Sequence, residues 1–433
     1  MIIHVVQKGE TIDSIAELYG VSAARLILEN ELPITRGLIP GQTIVITFPE
    51  QTYIVQEGDS LKSIANAYGV TNLQLLRNNP YLSDREYIYP GETLVISYNN
   101  KSGKISTNGF ANVFIYQNTL RKTLPSLTYL SIIGYRIIED ADLVMIDDAE
   151  LIRLAKEYNV APLMFLSTIT AQGQDYYGTA YRIIHSETLM DRLIDNTLNI
   201  LKSKGYYGLI VSYSILNSDT VQNYRIFNAK LVNRLKNEGF PVFVIISPIK
   251  VFLADQITFE KIDYSELGQE ADIITILNYI WGYNYGPPAP LASIQTAREF
   301  LEYIISQISP DKIDVGIPVL GYDWPLPYVI GVTRAKSLSI NDVLILASQF
   351  GAIIQFDETS QTPYFEYVED QAAISIKHIV WFIDARIVDA LVKLIPEYGL
   401  HGKGVWNIMH YYAQMWLVIN SQYEIEKILH ALD

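Results

Sequence analysis

The chain contains no cysteine, which excludes disulfides and thiolate metal sites. Charged residues make up only 18% of its 433 positions, and no cluster of Lys and Arg appears among them. With a net charge of −15, it lacks the basic surface that phosphate backbones require, so no nucleic-acid partner is expected. No apolar run reaches the ~20 residues needed to cross a bilayer, so no membrane span is expected. The opening Met1-Ile-Ile-His-Val5 is not a basic segment followed by an apolar one. No export signal is therefore expected, and synthesis in the cytoplasm follows. The six histidines (His4, His185, His378, His401, His410, His430) have no ligand spacing. They are expected to be structural, with no metal and no cofactor.

What the chain does have is apolar residues, at 49%, and 31 tyrosines. That is a globular composition with enough length for two or three domains. The first hundred residues repeat. Residues Val5–Val21 match Ile54–Val70 without a gap. Each copy then carries an Asn-bearing segment (Asn30; Asn78 and Asn79) and closes on Pro-Gly-x-Thr-Ile/Leu-Val-Ile, at Pro40–Ile46 and Pro90–Ile96. Thr11 and Ser60 are placed to cap a first helix. Ile12, Ile15 and Ala16, like Leu61, Ile64 and Ala65, recur at helical spacing. The reading is two βααβ modules, at 2–48 and 52–97.

A polar stretch, 98–108, reads as a linker. Beyond it apolar runs alternate with helical patterns. The runs are Ala111–Tyr116, Tyr129–Tyr135, Pro162–Leu166, Gly208–Tyr213, Pro241–Ser247, Ile273–Tyr279, Ile313–Leu320 and Gly404–Met409. Helical patterns include Asp148–Glu157, Leu189–Lys204 and Gln222–Glu238. Eight buried strands with helices between them predict an α/β fold, a (β/α)8 barrel over 109–433. The stretch between the last two strands is too long for one helix. It predicts an α+β insertion at about 323–384.

The repeats resemble LysM domains over their whole length. That family binds peptidoglycan or chitin-like N-acetylglucosamine glycans in a shallow groove between two loops. The resemblance places the groove at Gly9, Glu10, Thr11 and Ile12 with Ile39, Pro40 and Gly41. In the second repeat it falls at Gly58, Asp59, Ser60 and Leu61 with Tyr89, Pro90 and Gly91. The Gly and Pro positions could equally be there to shape turns.

From Phe110 to about Leu432 the chain resembles glycoside hydrolase family 18, in its SleL type of LysM-bearing spore cortex N-acetylglucosaminidases. The matches include Thr123–Ser131, Leu154–Leu163, Gly321-Tyr-Asp-Trp-Pro-Leu-Pro327 and Asp384-Ala-Arg386. In that family the fourth strand ends in Asp-x-x-Asp-x-Asp-x-Glu. Aligned on Gly205, Tyr206 and Gly208, the four acid positions fall on Tyr207, Ile210, Ser212 and Ser214. The resemblance implies substrate-assisted hydrolysis, in which a Glu protonates the leaving oxygen and an Asp steadies the acetamido group. A serine cannot supply that proton. Ile280, Leu320 and Ile383 replace further polar positions of the family. Tyr135, Tyr279, Trp281 and Trp406 remain as a vestigial sugar pocket. Asp219, Asp323, Asp357, Glu358 and Asp384 are the candidates for a displaced acid.

Two readings follow. In the first, the barrel is a catalytically inactive platform, no catalytic residue is present, and the LysM modules hold the protein on cortex or coat glycan of a bacterial spore, among other coat proteins. In the second, it is an active cortex-lytic N-acetylglucosaminidase of germination. The missing carboxylates favour the first, so no enzyme is expected.

Overall fold

The computed structural model describes all residues except 34–36, 84, 86, 100, 168–176, 214–215, 253–256, 278–283, 372–373 and 430–433. In the first repeat, strand Ile2–Val5 pairs antiparallel with Thr43–Ile46, and helices Ile12–Tyr19 and Ala23–Asn30 lie between them. The first helix starts where Thr11 Oγ1 accepts the Ser14 amide at 3.1 Å while Ser14 Oγ accepts the Thr11 amide at 3.0 Å. It ends at Gly20, whose φ of 64° suits a left-handed cap. The second repeat copies this plan with strands Pro49–Ile54 and Thr93–Tyr98 and helices Leu61–Tyr68 and Asn72–Asn78.

One asparagine in each repeat closes the module. Asn30 donates to the Val45 carbonyl at 2.9 Å and accepts the Val45 amide at 2.8 Å. Asn79 makes the same pair with Val95, both at 2.8 Å. The second helix is thereby pinned to the last strand, in a position too buried for water to replace the amide.

Eight parallel strands then close into a barrel: Lys104–Asn112, Tyr129–Arg136, Ala161–Ser167, Gly208–Ser212, Val242–Ile246, Ile273–Ile276, Ile313–Pro318 and Gly402–Trp406. The last strand pairs with the first, from Gly402 opposite Ser106 to Trp406 opposite Phe110. The first strand corrects the sequence reading twice. It begins at Lys104, inside the stretch taken for a linker, and it stops at Asn112 rather than running to Tyr116. Its inward positions Ser106 and Asn108 are small and polar, and Ser131 Oγ on the neighbouring strand donates to Asn108 Oδ1 at 2.8 Å. A strand with polar residues on its inner face does not show the apolar run by which buried strands are read.

The insertion between the seventh and eighth strands is a five-stranded antiparallel sheet, ordered Lys336–Leu338, Gly321–Leu326, Ile374–Phe382, Thr362–Gln371, Gln355–Asp357. Helix Ile340–Gln349 packs beside it. A further hairpin, Lys250–Phe252 with Ile257–Phe259, follows the fifth barrel strand and was not read from the sequence. Among the described residues no helix is long and apolar enough to cross a membrane.

Candidate functional site

In a (β/α)8 barrel the reactive groups sit at the C-terminal ends of the strands. Side chains alternate along each strand, so the fourth strand turns Ile210 inward and Val211 and Tyr213 outward. Ile210 is fully buried inside the barrel with Phe110, Phe165, Phe243, Ile245 and Leu277. Tyr213 faces the outer helices, where its hydroxyl donates to Asn228 Oδ1 at 2.6 Å. The same alternation brings the partly exposed Ser212 to the inner face at the strand's end. Tyr207 packs with Tyr129 below Ile210, ring centroids 6.2 Å apart. Ser214, Tyr279 and Trp281 lie outside the described residues.

Trp406 ends the eighth strand and packs over the same inner cluster. Its ring lies 5.3 Å from Phe110 and 6.1 Å from Phe165, centroid to centroid, and it keeps part of its surface exposed. An aromatic face supported from below is a platform for the apolar face of a pyranose. Tyr135 is not part of that platform. Its hydroxyl donates to the buried Asp148 at 2.6 Å, in the layer between the barrel and its helices. Tyr206 donates to the same carboxylate at 2.5 Å and Lys204 at 2.6 Å. The cause is a register shift between Ile132 and Tyr135, which breaks the alternation that would have turned Tyr135 inward.

The displaced-acid candidates divide into two groups. Asp323 is buried and accepts from Tyr367 at 2.8 Å, with His378 at 2.9 Å. Asp357 holds the Ser360 amide at 2.7 Å. Asp384 caps helix Ala385–Tyr398 and pairs with Arg386 at 2.6 Å. Burial pushes the Asp384 carboxyl up, against the opposing pull of Arg386. These three serve the insertion and its junction. Asp219 and Glu358 are exposed. Glu260, which the sequence did not single out, accepts from the amide of Ser218 at 3.1 Å and so ties the loop beyond the fifth strand to the loop beyond the fourth.

In the LysM loops the acidic residues are inward-looking. Glu10 accepts the Gln7 amide at 2.7 Å and pairs with His4 at 2.9 Å. The Gln7 amide bond, then His4, holds its carboxyl below the usual range. Asp59 accepts from Gln56 and Tyr53, both at 2.7 Å. Thr11 and Ser60 are helix caps, while Ile12 and Leu61 pack partly into the module cores. Gly9 and Gly58 are exposed at φ of 91° and 86°, a conformation that a side chain would strain. Tyr89, Pro90 and Gly91 are exposed, whereas Ile39 is buried and Pro40 and Gly41 are half-buried. Among the described residues no group of His, Asp and Glu could hold a metal ion.

The LysM domain family matches residues 4–47 and 53–97, and Glycosyl hydrolases family 18 matches residues 140–410. The chain belongs to glycosyl hydrolase family 18. It is 30% identical over 439 residues to the cortical fragment-lytic enzyme of Bacillus subtilis (strain 168), covering 99% of both chains. It superposes on the spore cortex-lytic enzyme SleL of Bacillus megaterium QM B1551 with a TM-score of 0.79 at 29% identity, again covering 99% of each. SleL of Bacillus cereus gives a TM-score of 0.79 at 26% identity, with 99% of each chain covered. These relatives correct the expectation that the chain is not an enzyme. Family 18 is a hydrolase family, and end-to-end relatives are lytic enzymes by name, so family and relatives together point to an enzyme.

Proposed function

We propose that the protein is a glycan-binding spore glycosidase that acts on N-acetylglucosamine-containing cortex fragments. The observation that carries this reading is the end-to-end correspondence with cortex-lytic relatives, covering both LysM modules and the barrel. The LysM region holds the glycan, and the barrel mouth above Trp406 receives a sugar.

The fourth strand sets a condition on the chemistry. Ile210 and Ser212 carry no proton that titrates near neutral pH, and Ser214 carries none by sequence. Hydrolysis here therefore takes its acid from outside the strand. Asp219, Glu260 and Asp263 are the carboxylates in the described loops beyond strands four and five, on the face where barrel enzymes place their chemistry, and Asp263 is already paired with Arg225 at 2.9 Å, which leaves Asp219 and Glu260 as the candidates. The test is hydrolysis of a chromogenic N-acetylglucosamine oligomer, run beside an active relative and repeated with D219N and E260Q. Turnover that falls about 10²–10⁴-fold in one of these variants supports the reading. No turnover in the unmodified chain overturns it.

A further inference from the structure

The two LysM repeats present their grooves differently. Residue for residue, Gly37, Ile39, Gly41 and Thr43 of the first correspond to Tyr87, Tyr89, Gly91 and Thr93 of the second. Ile39 is 7% exposed and Thr43 4%, whereas Tyr89 is 58% and Tyr87 70% exposed. Gly41 and Gly91 hold almost the same positive φ, 88° and 92°. Their neighbours differ. A methyl group added at Gly41 would lie 1.9 Å from the carbonyl oxygen of Ile354, while one added at Gly91 would meet nothing within 4 Å.

The barrel insertion covers the first groove's rim. The Ile354 amide donates to the Pro40 carbonyl at 3.0 Å. Next to this contact, Gln414 accepts the Thr43 hydroxyl and donates to the Thr43 carbonyl, both at 2.7 Å. Ile39 and Val45 join the apolar core that contains Ala352 and Ile354. Each repeat also keeps a small core of its own, around Ile15 and Leu26 in the first and Val55, Ile64, Leu75 and Leu94 in the second, but among the described residues the second adds no buried side chain to the barrel's core. It is held on a different side, where Arg77 pairs with Glu424 at 2.9 Å.

A sugar entering the first groove must break the Pro40 bond and expose Ile39 to water. One entering the second meets two exposed tyrosines, whose flat faces and hydroxyls suit a pyranose. We propose that in the full chain the second repeat alone receives the glycan, and that the first is a docking element fixed to the barrel insertion. This rests on the reading that the modules recognise N-acetylglucosamine glycan.

The experiment is a hydrogen-exchange footprint of the full chain with N-acetylglucosamine hexamer. It is paired with the affinity of Y87A/Y89A for the same hexamer. Protection at Gly58–Leu61 without protection at Gly9–Ile12, and at least tenfold weaker binding by the variant, is the expected result. Equal protection of both loops, or unchanged affinity of the variant, overturns the proposal while glycan recognition stands. No protection in either repeat overturns glycan recognition by the modules, and the proposal with it.

Discussion

Ile354 donates its amide to the carbonyl of Pro40 at 3.0 Å, joining two segments more than 300 residues apart in sequence. The contact makes the first LysM module part of the barrel's insertion. It has a direct consequence for Gly41, where a side chain would strike the Ile354 carbonyl. G41A and G91A carry the same penalty for positive φ, so their difference isolates that clash. G41A is expected to be less stable than G91A by about 1–3 kcal/mol in denaturant unfolding. Equal stabilities would mean that the docking seen here does not hold in solution.

Asn30 and Asn79 each satisfy a buried strand amide and carbonyl at once. N79A leaves both groups of Val95 without a partner in a site closed to water. The expected cost is about 1–3 kcal/mol, and N30A should match it. Chemical denaturation read by tyrosine fluorescence and circular dichroism would measure both.

Trp406 and Tyr135 should separate binding from stability. W406A removes the aromatic floor of the mouth and should weaken binding of an N-acetylglucosamine oligomer to a barrel whose LysM tyrosines are already replaced (Y87A/Y89A) by at least tenfold, about 1.4 kcal/mol. Y135F removes one of the bonds to Asp148 and leaves those from Tyr206 and Lys204. It should cost about 1 kcal/mol of stability and leave oligomer binding unchanged. Calorimetric titration beside thermal unfolding distinguishes these outcomes.

His401 sits 2.8 Å from the buried Asp314. Burial is the largest influence and disfavours its charge, but the charge and hydrogen bond of Asp314, with Glu426 and Asp311, outweigh it and raise the pKa. A raised folded-state pKa stabilises the fold below the unfolded value of about 6.5, and that contribution is lost as pH rises through the folded value. The Tm difference between the unmodified chain and H401Q should therefore be largest at pH 6 and shrink toward pH 9. A difference that grows with pH would contradict a raised folded-state pKa for His401.

The modules were legible because their signals are local. Thr11 and Ser60 cap helices a few residues away, and Gly20 and Gly69 end them. The barrel was legible where its strands are apolar on both faces, as at Leu163–Leu166 and Leu209–Val211. It was misread at Ser106 and Asn108, where the inner face is polar, and at Tyr135, where a register shift redirects a side chain. The contacts of Ile354 with Pro40 and of Gln414 with Thr43 join distant parts of the chain. Propensity and periodicity carry no information about such pairs. The same holds for Glu260, which becomes a candidate only once its loop is seen against Ser218.

The most direct test of the account is the action of the full chain on purified spore cortex fragments, followed by mass spectrometry beside a cortex-lytic relative. New fragments ending in N-acetylglucosamine that accumulate with time and enzyme concentration are the expected result. Retention of the fragments with no new product over the same period would contradict it.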